Sequence, residues 1–386
     1  MDPKQVIVDR FTSVEPALAA ISRWLYENPE ISNEEHASSA RLAAFLEDNG
    51  LAVDHPAWGL DTAFDARAGS YGPEVVICAE YDALPEVGHA CGHNIIATAA
   101  CGAGVSLASV ADELGFRVRV LGTPAEEAHG GKIDLIAAGA FAGVAAAMMI
   151  HPSPEDVVDP SFLAVAHINV DFHGKESHAA FRPQVGVNAL DAAVQAYVNI
   201  STLRQTLYNT DKVHGVITYG GGAPNVIPAN TSLAFYVRAA TTERLAELRT
   251  KVEACFQAAA LATGCSVEIR PGGHTYTEMH NDPVMVDLFT ANSAALGRTM
   301  GRSAALDPGA SGSTDMANVS RIVPTIHPML SINSNPAVNH QREFAAHTIT
   351  PDGDMALRHG AIAMAWTVAD LAATNRWDEL GGALPK

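Results

Sequence analysis

The chain has 386 residues, of which 48% are hydrophobic and 17% are charged, and its formal net charge at pH 7 is −19. This length and composition predict a compact protein with two domains and exclude a disordered chain. The negative charge argues against nucleic acid and anionic membranes as partners, because neither would be attracted to it.

The cysteines and the apolar runs indicate a cytoplasmic protein. The five cysteines are an odd number, and their spacings suggest no disulfide framework, which favours a reducing compartment. The first residues lead into a polar amphipathic segment that lacks the apolar core of a signal peptide. The longest apolar run, residues 144–150, is too short to span a bilayer.

The first part of the chain alternates between helices and strands. Apolar residues at helical spacing predict a helix over 6–26, and a second helix, capped by Ser32 or Asn33, is expected to end near residue 45. Short, mainly apolar runs predict buried strands over 74–79, 117–121 and 145–150. Between them we predict a helix of small residues over 95–114 and a shorter helix over 132–138. This order predicts an α/β fold with a mostly parallel sheet covered on both faces.

The middle of the chain has a different order of elements. Alternating and helical patterns predict strand, helix, strand, strand, helix and strand at residues 163–172, 187–207, 213–219, 232–238, 244–262 and 265–270. This β-α-β-β-α-β order is the ferredoxin-like, split βαβ arrangement. We therefore predict an inserted domain over 163–274, with 1–162 and 275–386 forming the first domain.

Chemically reactive side chains follow the predicted strands of the first domain. Glu80 and Asp82 follow the first strand, Glu126 and Glu127 follow the second, and His151 follows the third. Ligands of open α/β sheets bind beyond the carboxyl ends of the strands. We therefore expect these separate stretches to converge on one edge of the sheet.

The run His89-Ala90-Cys91-Gly92-His93 is the strongest single motif. Cys91 and His93 are two residues apart, so an extended or turn conformation can point both side chains into one cleft. A lone cysteine is usually a small buried hydrophobe, and this explanation suits the others, Cys78, Cys101, Cys255 and Cys265. A thiolate–imidazole–carboxylate set suits Zn²⁺, with Mn²⁺ or another transition ion as an alternative, and predicts a metal-dependent hydrolase.

The adjacent acids Glu126 and Glu127 could simply begin a helix, but their position directly beyond a buried strand favours a functional role. Because neighbouring side chains do not point the same way, we predict that Glu127 binds metal. Glu126 is predicted to take a proton from the attacking water and deliver it to the leaving nitrogen. The late histidines offer one more ligand, for which His340 is preferred because it lies in a polar loop; the others are His327 and His347.

Two alternatives of other classes stay open at this point. One is a metal-dependent binding protein without turnover, against which the intact Glu126 argues. The other is a thiol hydrolase that uses Cys91 directly as the nucleophile. A dinucleotide site is not expected, because residues 220–222 lack the Gly-x-Gly-x-x-Gly order and a following helix.

The motifs together resemble the amidohydrolase branch of metallopeptidase family M20, subfamily D, which includes aminoacylases, aminobenzoyl-glutamate hydrolases and a dipeptidase-like subgroup. The resemblance extends over nearly the whole chain, in order, through residues 79–85, 89–94, 123–127, 151–152, 174–180, 225–228 and 312–316 and the segment around His340. It implies an aminopeptidase-like catalytic domain with two divalent metal ions, Zn or Mn, and an inserted lid domain that forms a homodimer.

The resemblance also implies roles for individual residues. The implied metal ligands are Cys91, which bridges, His93, Glu127, His151 and His340, and the implied general base is Glu126. His178 resembles a histidine that reaches a neighbouring subunit's site and stabilises the oxyanion. Asn225 and Arg238 resemble lid positions that hold the substrate carboxylate.

The sequence departs from the pattern of the family at two places. Most of the branch has Asp-Met-Asp-Ala-Leu-Pro, whereas Glu80 and Tyr81 replace the first two residues here, which points to the dipeptidase-like subgroup and leaves Glu80 without a role. Asp82 is expected to orient a ligand imidazole. Arg182 replaces a small residue and either places a cation near the cleft or faces solvent. The expected reaction is hydrolysis of the amide bond of an N-acyl amino acid or small dipeptide-like substrate with a free carboxylate.

Overall fold

A computed structural model of the protein describes residues 2–303 and 312–381. The described residues divide into two compact units. Phe162–Glu278, together with residues 312–313, forms one unit, and the rest of the described chain forms the other. We propose that these units are the two domains expected from the sequence.

The first unit is built on a six-stranded, mostly parallel sheet. In spatial order its strands are β1 (Ala52–Asp54), β2 (Asp65–Ala68), β4 (Arg117–Gly122), β3 (Glu74–Ala79), β5 (Ala146–Met148) and β13 (Thr325–Ile326). The last four are parallel, whereas β1 and β2 are antiparallel to their neighbours. A separate parallel pair joins β6 (His151–Ser153) to β14 (Met329–Ser331). Ligand candidates that follow β3, β4 and β5 thus leave the same edge of the sheet.

The helices of this unit carry the apolar faces that cover the sheet. They are α1 (Pro3–Glu27), α2 (His36–Asp48), α3 (His93–Ala108), α4 (Ala111–Leu114), α5 (Gly131–Ala137), α8 (Pro283–Ala295), α9 (Met316–Ser320), α10 (Arg342–His347) and α11 (Pro351–Ala373). Small residues let α3 approach the sheet closely, since a Cβ at Gly104 would lie 2.0 Å from the Val120 side chain. Within the described ranges, no helix has both the length and the apolar character needed to cross a membrane.

Two sequence predictions about these helices were wrong. The second helix is not capped by Ser32 or Asn33; its N-cap is Glu35, which makes no side-chain capping bond. The carboxylate of Glu30 caps the helix instead, because it accepts hydrogen bonds from the backbone N–H groups of residues 37 and 38 at 3.1 and 2.7 Å. The helix predicted over 95–114 begins earlier, at His93, and is interrupted after residue 108.

The second unit has the ferredoxin-like topology predicted for the inserted domain. Its elements are β7 (Ala164–His173), α6 (Ala189–Leu203), β9 (Lys212–Tyr219), β11 (Asn230–Ala239), α7 (Thr242–Thr263) and β12 (Ser266–Pro271). The strands form an antiparallel sheet in the order β12-β7-β11-β9, and the apolar faces of α6 and α7 pack with it into one core. A further short pair, β8 (Ser177–His178) with β10 (Val226–Ile227), is antiparallel.

Candidate metal centre

A left-handed turn places Cys91 and His93 at the start of a buried helix. Gly92 is the N-cap of α3 and has φ +78°, a conformation that favours glycine because L side chains are strained there. A Cβ at this position would also lie only 2.7 Å from Cγ of Pro152. The turn therefore depends on the absence of a side chain between the two candidate ligands.

The predicted ligands lie together in two groups that share one residue. Ligand atoms of Cys91, His93 and His151 all lie within 4.8 Å of one another. The same holds for Cys91, Glu127 and His340. The structure thus brings all five candidate ligands from four separate segments to one place, with the sulfur common to both groups.

The site contains buried polar atoms that make no hydrogen bond within the described chain. They are Nε2 of His93, Oε1 of Glu127 and Oε2 of Glu80. Nε2 of His93 lies 3.4 Å from the Glu80 oxygen and 3.8 Å from the Glu127 oxygen. Leaving such atoms buried and unsatisfied is costly, and a bound cation would satisfy all three. Together with the thiol and imidazole groups, they form a donor set that fits a divalent transition metal.

Asp82 fixes the orientation of His93. Its Oδ1 lies 2.9 Å from Nδ1 of the ring, which leaves Nε2 facing the donor cluster. Its Oδ2 accepts hydrogen bonds from Oγ of Ser32 at 2.8 Å and from the backbone N–H of Glu127 at 3.0 Å. Burial alone would raise the pKa of Asp82, but the charge and hydrogen bond of His93 lower it to about 2. A carboxylate behind a ligand imidazole in this way sets its tautomer and direction.

Burial and neighbouring charges shift the pKa values of the candidate ligands in different directions. Burial, followed by the charge of Glu127, raises the pKa of the Cys91 thiol well above its usual range. Burial, followed by the charge of His93, lowers the pKa of His151 to about 4, which keeps that ring neutral, the form that binds metal. A metal ion bound here would be the largest local charge and would favour the thiolate.

Glu126 lies beside these groups and belongs to two clusters of potential metal-binding side chains. It belongs to one cluster with His93 and Glu127 and to another with Glu80 and Asp315, each within 4.8 Å. Burial, and then the charges of Glu80 and Glu127, raise the pKa of Glu126 well above its usual range. The side chain is half-buried.

Sequence reasoning gave no definite role to a second set of buried groups behind the ligands. Nζ of Lys132, which is completely buried, donates to Glu80 at 2.5 Å and to Asp315 at 2.7 Å. The ring of His327, also buried, lies 5.5 Å from the ring of His151. Glu35 holds the turn before Glu126, because its carboxylate accepts the N–H of residue 125 at 2.8 Å. Asp315 had a signal, since it lies in one of the family-like motifs, and His327 was one of the alternative late ligands, whereas Lys132 and Glu35 had no functional signal.

The remaining candidates lie in the second unit. His178 is exposed on β8, and its Nδ1 accepts the N–H groups of residues 180 and 181 at 3.2 and 3.1 Å. Asn225 is close to it, because its carbonyl accepts the N–H of residue 179 at 2.9 Å. Arg238, on β11, is half-buried and donates to Oγ of Ser313 at 2.6 Å. Arg182 is exposed.

A mostly parallel sheet with a thiol–imidazole–carboxylate cluster at one edge defines the class of metal-dependent hydrolases. Comparison with known proteins gives the family. A family model described as a peptidase dimerisation domain of M20 type matches residues 164–263. The Xaa-Arg dipeptidase of Mus musculus is 41% identical over 382 residues, which cover 95% of this chain and 88% of that protein.

Two more distant proteins agree with this assignment. One of the subunits of the p-aminobenzoyl-glutamate hydrolase of Escherichia coli is 31% identical over 65% of this chain and 56% of its own length. The crystal structure of a dinuclear metal-binding peptidase of the M20 family from Bacillus subtilis has the same fold, with a TM-score of 0.69 at 22% identity over 92% of this chain and 98% of that chain.

The chain belongs to the M20 peptidase family, and it is a hydrolytic enzyme that cleaves amide bonds. The family, the fold class and the enzyme class predicted from the sequence are therefore confirmed.

Proposed function

We propose that this enzyme is a metal-dependent dipeptidase that releases the C-terminal residue of a small dipeptide, with arginine as the preferred leaving residue. The observation that carries the proposal is the pair of donor groups that share Cys91, with Glu126 beside them. The substrate preference is supported by the 41% identity to a dipeptidase of that specificity over 88% of its length. Other N-acyl amino acids form the wider substrate class.

Two divalent metal ions, Zn²⁺ or Mn²⁺, are proposed as the cofactors. Cys91, His93, His151, Glu127 and His340 would hold these ions, and Cys91 belongs to both groups of donors. When bound, the ions would polarise the carbonyl group of the scissile amide and lower the pKa of a water molecule.

The chain's own side chains are proposed to move the proton and orient the substrate. Glu126 accepts a proton as the water oxygen bonds to the carbonyl carbon, and it then donates this proton to the leaving nitrogen as the C–N bond breaks. His178 donates a hydrogen bond to the oxyanion. Asn225 and Arg238 bind the substrate carboxylate.

We also propose that the enzyme is a cytoplasmic homodimer. All five cysteines are free thiols in the structure, which suits a reducing compartment. The match of residues 164–263 to a dimerisation domain supports self-association through the second unit.

The test is a mass-spectrometric screen of Ala-Arg, Ala-Lys, Ala-Glu and N-acetyl-arginine with enzyme loaded with Zn²⁺ or Mn²⁺. We expect Ala-Arg to have the highest kcat/KM, and a chelator to abolish turnover until metal is restored. Chelator-resistant activity that is lost on alkylation would instead support a thiol hydrolase using Cys91. Metal binding without turnover of any substrate in the screen would contradict the dipeptidase proposal.

A further inference from the structure

We propose that Glu80 is an additional metal-contacting carboxylate, oriented by a buried lysine. The inference rests on the proposed function only in assuming that metal binds at the Cys91 cluster. It gives a task to the residue that departs from the pattern of the family.

The two oxygens of Glu80 have different surroundings. Glu80 directly follows β3 and is 1% exposed. Its Oε1 accepts from Nζ of Lys132 at 2.5 Å. Its Oε2 is buried, makes no hydrogen bond in the described part of the chain, and lies 3.4 Å from Nε2 of His93. The unsatisfied oxygen therefore faces the same space as the unsatisfied ring nitrogen.

The separation of these two atoms fits joint coordination of one ion. Bonds from zinc to nitrogen and oxygen are about 2.0–2.2 Å, so two ligand atoms at a tetrahedral angle are roughly 3.4 Å apart. His93 and Glu80 have this separation, and Oε1 of Glu127 lies 3.8 Å from the same nitrogen. Since Asp82 occupies Nδ1 of the ring, Nε2 is the nitrogen available to metal.

Lys132 explains why Glu80 points this way. Glu80, Glu126 and Asp315 form an acidic group that could by itself hold a cation. The ammonium of Lys132 already supplies that positive charge, at 2.5 Å from Glu80 and 2.7 Å from Asp315. The backbone N–H of Lys132 donates to the second oxygen of Asp315 at 2.9 Å. Lys132 therefore holds one oxygen of Glu80, so that the other oxygen faces His93.

A hard carboxylate donor added to the cluster should also affect metal preference. Carboxylate oxygen suits Mn²⁺ better than thiolate does, whereas both suit Zn²⁺. We therefore expect Glu80 to support Mn²⁺ binding more than Zn²⁺ binding.

The direct experiment is a crystal structure of the wild-type enzyme grown with Zn²⁺, with anomalous maps collected at the zinc edge. We expect a zinc peak within about 2.3 Å of Oε2 of Glu80. Zinc held by Cys91, His93 and His151 but more than 3 Å from both Glu80 oxygens would overturn this inference and leave the proposed function intact. Absence of zinc from the whole cluster would overturn both.

The solution experiment compares Glu80→Gln with Glu74→Gln by chelator competition. Glu74 is a matched control, since it lies at the other end of β3 and pairs with Arg117 and Arg119. Glutamine at position 80 keeps an acceptor for Lys132 but replaces the facing oxygen. We expect its Zn²⁺ affinity to fall at least about tenfold and its Mn²⁺ affinity to fall further, with Glu74→Gln unchanged. Wild-type affinity for both ions in a folded Glu80→Gln enzyme would contradict the proposal.

Discussion

Glu126 and Glu127 are adjacent in the chain, yet the residues around their carboxylates differ. The backbone N–H of Glu127 is held by Asp82, and its two oxygens lie 3.8 Å from Nε2 of His93 and 3.8 Å from Nε2 of His340. Glu126 also lies near His93 and Glu127, but it is grouped in addition with Glu80 and Asp315. This contrast supports metal binding by one neighbour and proton transfer by the other.

The variant Glu126→Gln tests this division of tasks. The amide cannot accept the proton of the attacking water, so kcat should fall roughly 10²- to 10⁴-fold. Metal content, measured by elemental analysis, should stay at the wild-type value because the ligands are unchanged. Glu113→Gln, at an exposed position on α4, is the control and should behave as the wild type. Turnover close to wild type in the Glu126 variant would refute the proton-transfer role.

The candidate ligands that could be predicted from the sequence are those with a distinctive local sequence around them. Cys91 and His93 stand in a glycine-containing turn, and Glu127 follows an apolar strand. Lys132 could not be found in this way, because its partners Glu80 and Asp315 lie 52 and 183 residues away along the chain. A lysine near a helix start normally faces solvent, and only the tertiary fold brings two carboxylates to it.

Among the helices, α3 matters most for the site, because its first residue is a candidate ligand. The chain reaches the helix through Gly92 in the left-handed region, with Pro152 packed against the glycine. Gly143 has nearly the same backbone conformation, φ +76°, but a Cβ added there would meet no atom within 4 Å. Alanine substitution at each of the two glycines therefore separates the free-energy cost of the backbone angle from that of the close contact.

The pair Gly92→Ala and Gly143→Ala measures these costs. Alanine in the left-handed region costs about 1–2 kcal/mol at either position. At position 92 the contact with Pro152 should bring the total to about 2–4 kcal/mol. Urea unfolding of the metal-free protein measures the free energies, and chelator competition measures Zn²⁺ affinity, which should fall only for Gly92→Ala. Equal destabilisation with unchanged affinity would show that the turn does not set the ligand geometry.

Elements with a strong apolar pattern were predictable, and short polar ones were not. The buried strand β3 reads as an apolar run, and in β4 arginine and valine alternate before Leu121. The pair of β8 and β10 has only two residues per strand, and one of them is Ser177-His178, which carries no strand signal. The break after α3 was also missed; there Oγ of Ser109 donates to the carbonyl of Ser106 at 2.6 Å, a local bond that competes with helix continuation.

At the scale of the whole molecule, one apolar face of the second unit has no partner within the described chain. It is formed by α6 and the edge strand β9, and its exposed side chains are Val194, Val198, Val216 and Ile217. Val194, Val198 and Val216 are 51%, 50% and 59% exposed, which is unusual for a group of neighbouring valines. Because the face lies within the dimerisation-domain match, we propose that a second copy of the chain covers it.

The variant Val198→Glu tests both the interface and the sharing of the site. A charge buried at the interface should shift the enzyme from dimer to monomer in analytical ultracentrifugation, since burying a charge in an apolar contact is costly. Met355→Glu, at a 49% exposed position on α11, is the matched control and should remain dimeric. The monomer should keep its metal, because all the candidate ligands lie in the first unit. It should lose most of its turnover, since we propose that His178 acts in the site of the partner subunit. A fully active monomer would show that each chain supplies its own oxyanion donor, and a dimeric Val198→Glu enzyme would place the interface elsewhere.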